Sequence, residues 1–265
     1  MDGITLTRYP VDGTTSAAIA EIILDRPPAN ALSTSMALAL TGACHEVAGE
    51  VSIRAVVISA NPDGRSFCAG ADLKERAALT DAQFMAQRAM IRGMFDAIRD
   101  LPQPAIAAVH GYALGGGCEI ALSCDLVVAD DTAAFGLPEV TVGLVPGGGG
   151  TQLTLRKLGA SRAADLVLTG RKVTVQEAAA LGLVNRRTEA GKARETALDL
   201  AAQIAANSPV AVRAAKHALR NGWGTSLEPA LAIEDAAWRT AAVSGDRREG
   251  IAAFAEKRPP SWPGA

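Results

Sequence analysis

The sequence predicts an α/β fold, and two observations carry that prediction. Short β-branched runs alternate with helical patterns through the first half of the chain, the signature of a layered α/β structure. After about residue 150 the pattern changes to helix upon helix, each bounded by Gly, Asn, Ser or Pro.

In chain order, AAIAEIILD (17 to 25) and RAVVISA (54 to 60) read as strands. Between them STSMALALTGACHEVAGE reads as an amphipathic helix with Ser33 as its N-cap. The turn SANPDGRSFCAGAD follows, then a mixed polar helix from about Thr80 to Arg99 that stops at LPQP. AIAAVH (105 to 110) is a third strand leading into a glycine run and a short helix, and DLVVAD (125 to 130) is a fourth. The later helices lie in SRAADLVLTG, TVQEAAALGL, ETALDLAAQIAANS, PVAVRAAKHALRNG, SLEPALAIEDAAWRTAAVS and DRREGIAAFAEKR. They are rich in alanine with modest apolar faces, which suits packing on a core or on other subunits. A soft boundary near residue 195 divides a 1–195 α/β core from a 196–265 helical region, and the terminal RPPSWPGA is expected to fray.

Composition excludes several classes. The 265 residues carry 26 Lys and Arg against 28 Asp and Glu, so no net basic field recruits nucleic acid or an anionic membrane. No run is apolar enough to span a membrane, and the N-terminus lacks the pattern of a signal or transit peptide, so a cytoplasmic location is expected. Cys44, Cys68, Cys118 and Cys124 form no C-x-x-C pair, and His45, His110 and His217 are scattered. The cysteines therefore read as reduced, buried small hydrophobes, and no metal site is expected.

Two carboxylates stand out by isolation. From Leu101 to Cys124 the one charged residue is Glu119, inside HGYALGGGCEIAL, and between Asp131 and Arg156 the one charged residue is Glu139. A carboxylate in an apolar run must be hydrogen-bonded, paired or raised in pKa. Two such groups suit general acid and base work at opposite ends of one small reacting group. The competing reading keeps both as helix-end acids: Glu119 near the third position of a helix beginning about Gly116, and Glu139 in a turn after Pro138.

The glycines favour chemistry. Gly115, Gly116 and Gly117 leave backbone N–H groups at a helix start open to a ligand, and a pair of N–H donors aimed at one oxygen is an oxyanion hole. A second small-residue turn, SFCAGADLKE (66 to 75), bares the backbone at Ala69, Gly70 and Ala71, although a plain strand-to-helix turn reads the same way. Gly147 to Gly150 match neither the dinucleotide nor the P-loop fingerprint and read as a turn, positioned by Pro146, before a helix containing Thr151 and Gln152. No G-x-S-x-G elbow is present.

SFCAGADLKE, PAIAAVHGYALGGGCEIALSCDLVVA, AAFGLPEVTVGLVPGGGGTQ and DRREGIAAFAEKR, in that order, resemble the enoyl-CoA hydratase (crotonase) family over nearly the whole chain. The resemblance implies a spiral of repeated strand-strand-helix units. It implies C-terminal helices used for trimerisation and active-site cover, as a homotrimer or a dimer of trimers. The substrate would be an acyl-CoA thioester, with no metal or redox cofactor. Carried over by residue, Ala71 and Gly116 N–H would form the oxyanion hole. Glu119 would help activate a water for attack on Cβ, and Glu139 would exchange the proton with Cα. Ala71, Asp72, Leu73 and Lys74 match the CoA-contacting segment, while Phe254 and Lys257 meet CoA or read as a packed Phe and a solvated Lys. Two positions depart from the family pattern: Pro28 where many members carry a basic residue, and Leu137 where a glutamine is common, which would make the pocket more apolar beside Glu139.

The function implied is reversible syn addition of water to trans-2-enoyl-CoA giving 3-hydroxyacyl-CoA, in fatty-acid β-oxidation or related acyl-CoA catabolism. A Δ3,Δ2-enoyl-CoA isomerase is the nearest alternative, since that reaction can run on one glutamate. A non-enzymatic binding homologue is the alternative of another class; near-neutral charge and the intact acid pair argue against it.

Overall fold

The computed structural model describes residues 3–11 and 17–265. The chain runs β1 (Ile4–Pro10), β2 (Ala18–Leu24), α1 (Thr34–Gly49), β3 (Ile53–Ala60), α2 (Leu73–Ala77), α3 (Asp81–Arg99), β4 (Ala105–Val109) and β5 (Tyr112–Leu114). It continues through α4 (Gly116–Ser123), β6 (Leu126–Asp130), β7 (Ala134–Gly136), a 3-10 turn over Pro138–Val142, α5 (Gly150–Leu158), α6 (Ala160–Thr169), β8 (Lys172–Thr174), α7 (Val175–Leu181) and β9 (Arg186–Thr188). The last four helices are α8 (Ala193–Ala205), α9 (Pro209–Gly222), α10 (Leu227–Ala242) and α11 (Gly245–Glu256).

The main sheet has the order β1-β2-β3-β4-β6-β9, antiparallel only between β1 and β2. Its parallel strands are covered on both faces, so they read as continuous apolar runs, and alternation assigns each residue a side. Ile19, Ala55, Val57, Ile106, Ala108 and Val128 pack against Ala197, Leu200 and Ala201 of α8. The intervening Ile22, Val56, Ile58, Ala107 and Val127 face the larger core with Met36 and Leu40 of α1 and Ile91 and Met94 of α3.

A second, smaller sheet has the order β5-β7-β8. Isolated bridges extend its pairing toward the N-terminus, Cys68 with Ala113 and Leu32 with Ala71, both parallel. Each turn of the chain thus places a long strand in the main sheet, a short extended piece in the second layer, and then a helix. This is the expected strand-strand-helix spiral.

Helix boundaries follow their caps. Ser33 Oγ accepts from Met36 N at 3.2 Å, and Thr80 and Gln83 form a reciprocal capping box at the start of α3. Sequence periodicity misses β5, β7, β8 and β9 because three residues are too short for a pattern; tertiary neighbours supply their pairing. The tail is not frayed. Trp262 Nε1 donates to Ala206 O at 2.8 Å, Ser261 N to Glu249 Oε1 at 2.6 Å, and Gly264 N to Asp246 Oδ1 at 2.7 Å.

One buried charge fastens α8 to the sheet. Glu21 of β2 is fully buried, and Arg194 donates to both its carboxylate oxygens at 2.7 Å while Ser59 Oγ donates at 2.6 Å and Tyr9 Oη at 2.7 Å. Burial pushes the Glu21 pKa up, but hydrogen bonds from Arg194, Ser59 and Tyr9 outweigh it and hold the group below its usual value. A depressed carboxyl contributes stability above the unfolded pKa and loses it as pH falls through the folded one. Arg194→Ala is therefore expected to lower unfolding free energy by about 1–2 kcal/mol at pH 7, since Arg194 is partly exposed and Ser59 and Tyr9 still donate to Glu21, with the difference shrinking below about pH 4, measured by urea denaturation across pH.

Candidate active site

Two turns of the spiral meet at the edge of the second layer. β5 ends at Leu114, Gly115 turns the chain at φ +51°, and α4 begins at Gly116. A Cβ on Gly115 would lie 2.9 Å from Glu139 Oε1, so this turn needs glycine for conformation and for room. One spiral turn earlier, Leu32 N donates to Gly70 O at 2.8 Å and Asp72 N donates to Leu32 O at 3.0 Å, which aims the Ala71 N–H away from Leu32. The turns abut: a Cβ built on Gly70 would fall 3.8 Å from Gly115 Cα. Among the described residues neither the Ala71 nor the Gly116 N–H meets a backbone acceptor, and both residues line a cleft of about 350 Å³.

Glu119, on the first turn of α4, is 3% exposed and lines the same cleft. Its Oε1 accepts from Gly148 N at 2.6 Å and from Gly150 N at 2.8 Å. The carboxylate therefore does not cap its own helix; it receives amides from the glycine run that opens α5. Sequence reading took that run for a turn and missed this role, although four glycines opposite a lone buried acid were the available signal. The same loop is held from its carbonyl side, where Arg88 Nη2 donates to Gly147 O at 2.6 Å and Arg99 Nη1 to Gly148 O at 3.0 Å. Burial raises the Glu119 pKa, and the Gly150 and Gly148 amides, then Arg88 and Arg76, offset part of that rise.

Glu139 enters the cleft from the 3-10 turn that starts at Pro138. Burial pushes its pKa up to about 7, its own backbone N–H opposes that, and the nearby Glu119 charge adds to the rise while Arg76 reduces it. Its Oε2 is buried with no hydrogen-bond partner among the described residues. The two glutamates thus share one cleft, one fixed by two amides and the other poised to exchange a proton near neutrality.

The remaining sequence candidates divide. Ala71 and Leu73 line the cleft. Asp72 is engaged in structure: Oδ1 accepts from Lys74 N and Glu75 N at 3.1 Å, and Oδ2 pairs with Arg26 Nη2 at 2.7 Å. Lys74 and Pro28 are exposed, and Pro28 follows a cis peptide bond. Leu137 is buried in the core behind the site, its Cδ2 3.0 Å from where a Gly150 Cβ would stand, and it does not line the cleft beside Glu139. Phe254, 88% exposed, and Lys257, the left-handed cap of α11, lie outside the cleft of this single chain. Arg76, on which the sequence reading was silent, and Arg88, within the mixed polar helix from about Thr80, line it as well.

Comparison with known proteins gives one answer. The family model described as enoyl-CoA hydratase/isomerase matches residues 14–265. The 2,3-dehydroadipyl-CoA hydratase of Escherichia coli is 42% identical over 92% of this chain and 94% of its own. The mitochondrial methylglutaconyl-CoA hydratase of Homo sapiens is 40% identical over 89% of this chain and 70% of its own. The crystal structure of an enoyl-CoA hydratase from Bacillus anthracis superposes with a TM-score of 0.94 at 38% identity, covering all of both chains.

The surroundings of Glu139 have a pH signature of their own. A carboxyl whose pKa is raised on folding supports the fold fully below its unfolded value and loses that support as pH rises through the folded value. Glu139→Gln is expected to raise the melting temperature by at least about 2 °C at pH 8, with the gain vanishing near pH 4.5, measured by calorimetry across that window. An equal gain at both pH values would contradict the raised pKa.

Proposed function

The chain belongs to the enoyl-CoA hydratase/isomerase family, and we propose that it is an enoyl-CoA hydratase acting in acyl-CoA catabolism. The observation that carries the reading is the convergence of two uncapped amides and two buried glutamates on one cleft. In the proposed reaction the thioester oxygen of a trans-2-enoyl-CoA accepts from Ala71 and Gly116 N–H, which withdraws electrons from the conjugated alkene. Ionised Glu119 takes a proton from a water as its oxygen bonds to Cβ. Negative charge developing on the thioester oxygen is held by the two amides, each typically worth about 10²–10³ in rate. Protonated Glu139 delivers a proton to Cα on the same face, giving 3-hydroxyacyl-CoA. The pair begins and ends with one proton between its two carboxyl groups.

Shared occupancy by one proton dictates the pH profile. Glu139 loses its proton as pH rises through about 7, so kcat/KM is expected to fall above that value in both directions, since hydration releases no net proton. Glu119→Gln and Glu139→Gln are each expected to reduce turnover at least about 10²-fold with ligand affinity retained, followed by loss of the conjugated thioester absorbance. A protein that binds CoA esters and shifts a 3-enoyl double bond but hydrates no 2-enoyl-CoA would overturn the hydratase reading.

The exposed apolar residues on the last helices support assembly. Trp238, Val243, Ile251 and Phe254 are more than half exposed on one chain. We propose that copies of the chain cover them in a trimer or a dimer of trimers, with Phe254 and Lys257 brought toward bound CoA. Sedimentation at micromolar concentration is expected to give a trimer or hexamer, and a monomer would rule this out.

A further inference from the structure

Among the described residues, four buried side-chain polar atoms lack a hydrogen-bond partner, and two of them, Glu139 Oε2 and Arg76 Nε, belong to residues that line the one cleft. The first belongs to the chemistry proposed above. The second touches no reacting atom in that scheme, although its charge tempers both glutamates. Arg76 projects from α2, half-buried, with its guanidinium 5.5 Å from the centre of the Phe84 ring, and no carboxylate pairs with it among the described residues. Arg88 of α3 lines the same cleft, with one N–H group on Gly147 O and likewise no acidic partner. Burial lowers the Arg76 pKa while Glu139 and Glu119 raise it, so its charge lies within electrostatic reach of both glutamates without touching either.

A wall that met only hydrocarbon tails would leave the buried Nε of this half-buried guanidinium unmet, whereas a polar tail end would satisfy it. The rest of the cleft wall supplies the hydrocarbon surface: Phe84, Met85, Ile91, Leu144 and Val145. A tail extending from a Cβ held between the two glutamates would meet this wall, where the charged ends on offer are Arg76 and Arg88. A guanidinium is a planar fork that matches a carboxylate with two parallel hydrogen bonds. We propose that the cleft selects 2-enoyl-CoA thioesters whose acyl chain ends in a carboxylate, the mono-CoA esters of unsaturated dicarboxylic acids, with Arg76 as the carboxylate-binding residue and Arg88 in support. The cation also offsets the repulsion that Glu119 and Glu139 exert on such a tail, so the binding requirement and the electrostatic requirement fall on one residue.

This substrate assignment rests on the hydratase reading, and its test separates the two. Glutaconyl-CoA and 5-methyl-2-hexenoyl-CoA share one shape and differ in ending in a carboxylate or an isopropyl group. The ratio of kcat/KM for the first over the second is expected to be at least about tenfold in the wild type and to fall to one or below in Arg76→Met. A wild-type ratio of one or below, or a ratio that Arg76→Met leaves unchanged, overturns the proposal, and the wild-type comparison stands even if the variant fails to fold. The saturated pair glutaryl-CoA and 5-methylhexanoyl-CoA cannot be hydrated and reads binding alone by calorimetry. Should neither enoyl ester turn over, the hydratase reading fails, while tighter binding of glutaryl-CoA by at least about tenfold still supports the carboxylate site and equal binding removes it.

Discussion

The site depends on one contact, the acceptance of two backbone N–H groups, from Gly148 and Gly150, by a single oxygen of Glu119. A carboxylate 3% exposed in an apolar cleft would otherwise take up a proton and cease to act as a base. Two amide donors hold it, and the loop that supplies them has its carbonyls pinned by Arg88 and Arg99 from α3. Donors and acceptors of the same peptide segment are thus satisfied in opposite directions, an arrangement in which each bond polarises the next. The glycines are dictated by the same contact. A Cβ at Gly150 would stand 2.9 Å from Glu119 Oε1 and 2.7 Å from Pro146 Cβ, so no larger residue fits without moving the acid.

The spiral explains why the amides and the acids meet. Ala71 and Gly116 occupy equivalent points in successive turns of the chain, each just past a short extended piece of the second layer. Because the pieces are paired in parallel, equivalent points lie side by side. A strand-strand-helix repeat therefore sets two N–H groups next to each other without either being near the other in sequence. Glu139 arrives by the same route from the following turn, after β7 and Pro138.

Electrostatics in the cleft is a balance of few charges among mainly apolar walls. Burial raises both glutamates, the ionised one raises its neighbour further, and Arg76 and Arg88 restrain Glu119 while Arg76 restrains Glu139. Different surroundings then separate two chemically identical groups, one clamped by amides and one carrying an oxygen with no partner. Two carboxyl groups in surroundings this different can act as base and acid in one step.

Much of this was legible in one dimension. Strands β2, β3, β4 and β6, helices α1 and α3 and the helices from α5 onward are visible because apolar periodicity and cap residues are local properties, as Ser33 at the start of α1 shows. The isolation of Glu119 and Glu139 in uncharged glycine-rich windows is likewise written in the chain, as are the bare turns at Ala71 and Gly116. What only the tertiary structure decided depends on approach between distant segments: that Glu119 receives amides from residues 148 and 150, that Leu137 turns into the core, that Trp262 anchors the tail, and that Arg76 faces the cleft. A lone charge in a sequence announces that it must be satisfied, because desolvation is costly anywhere in the fold. Which group satisfies it is a matter of distance, and distance between residues far apart in sequence exists only once the chain has folded.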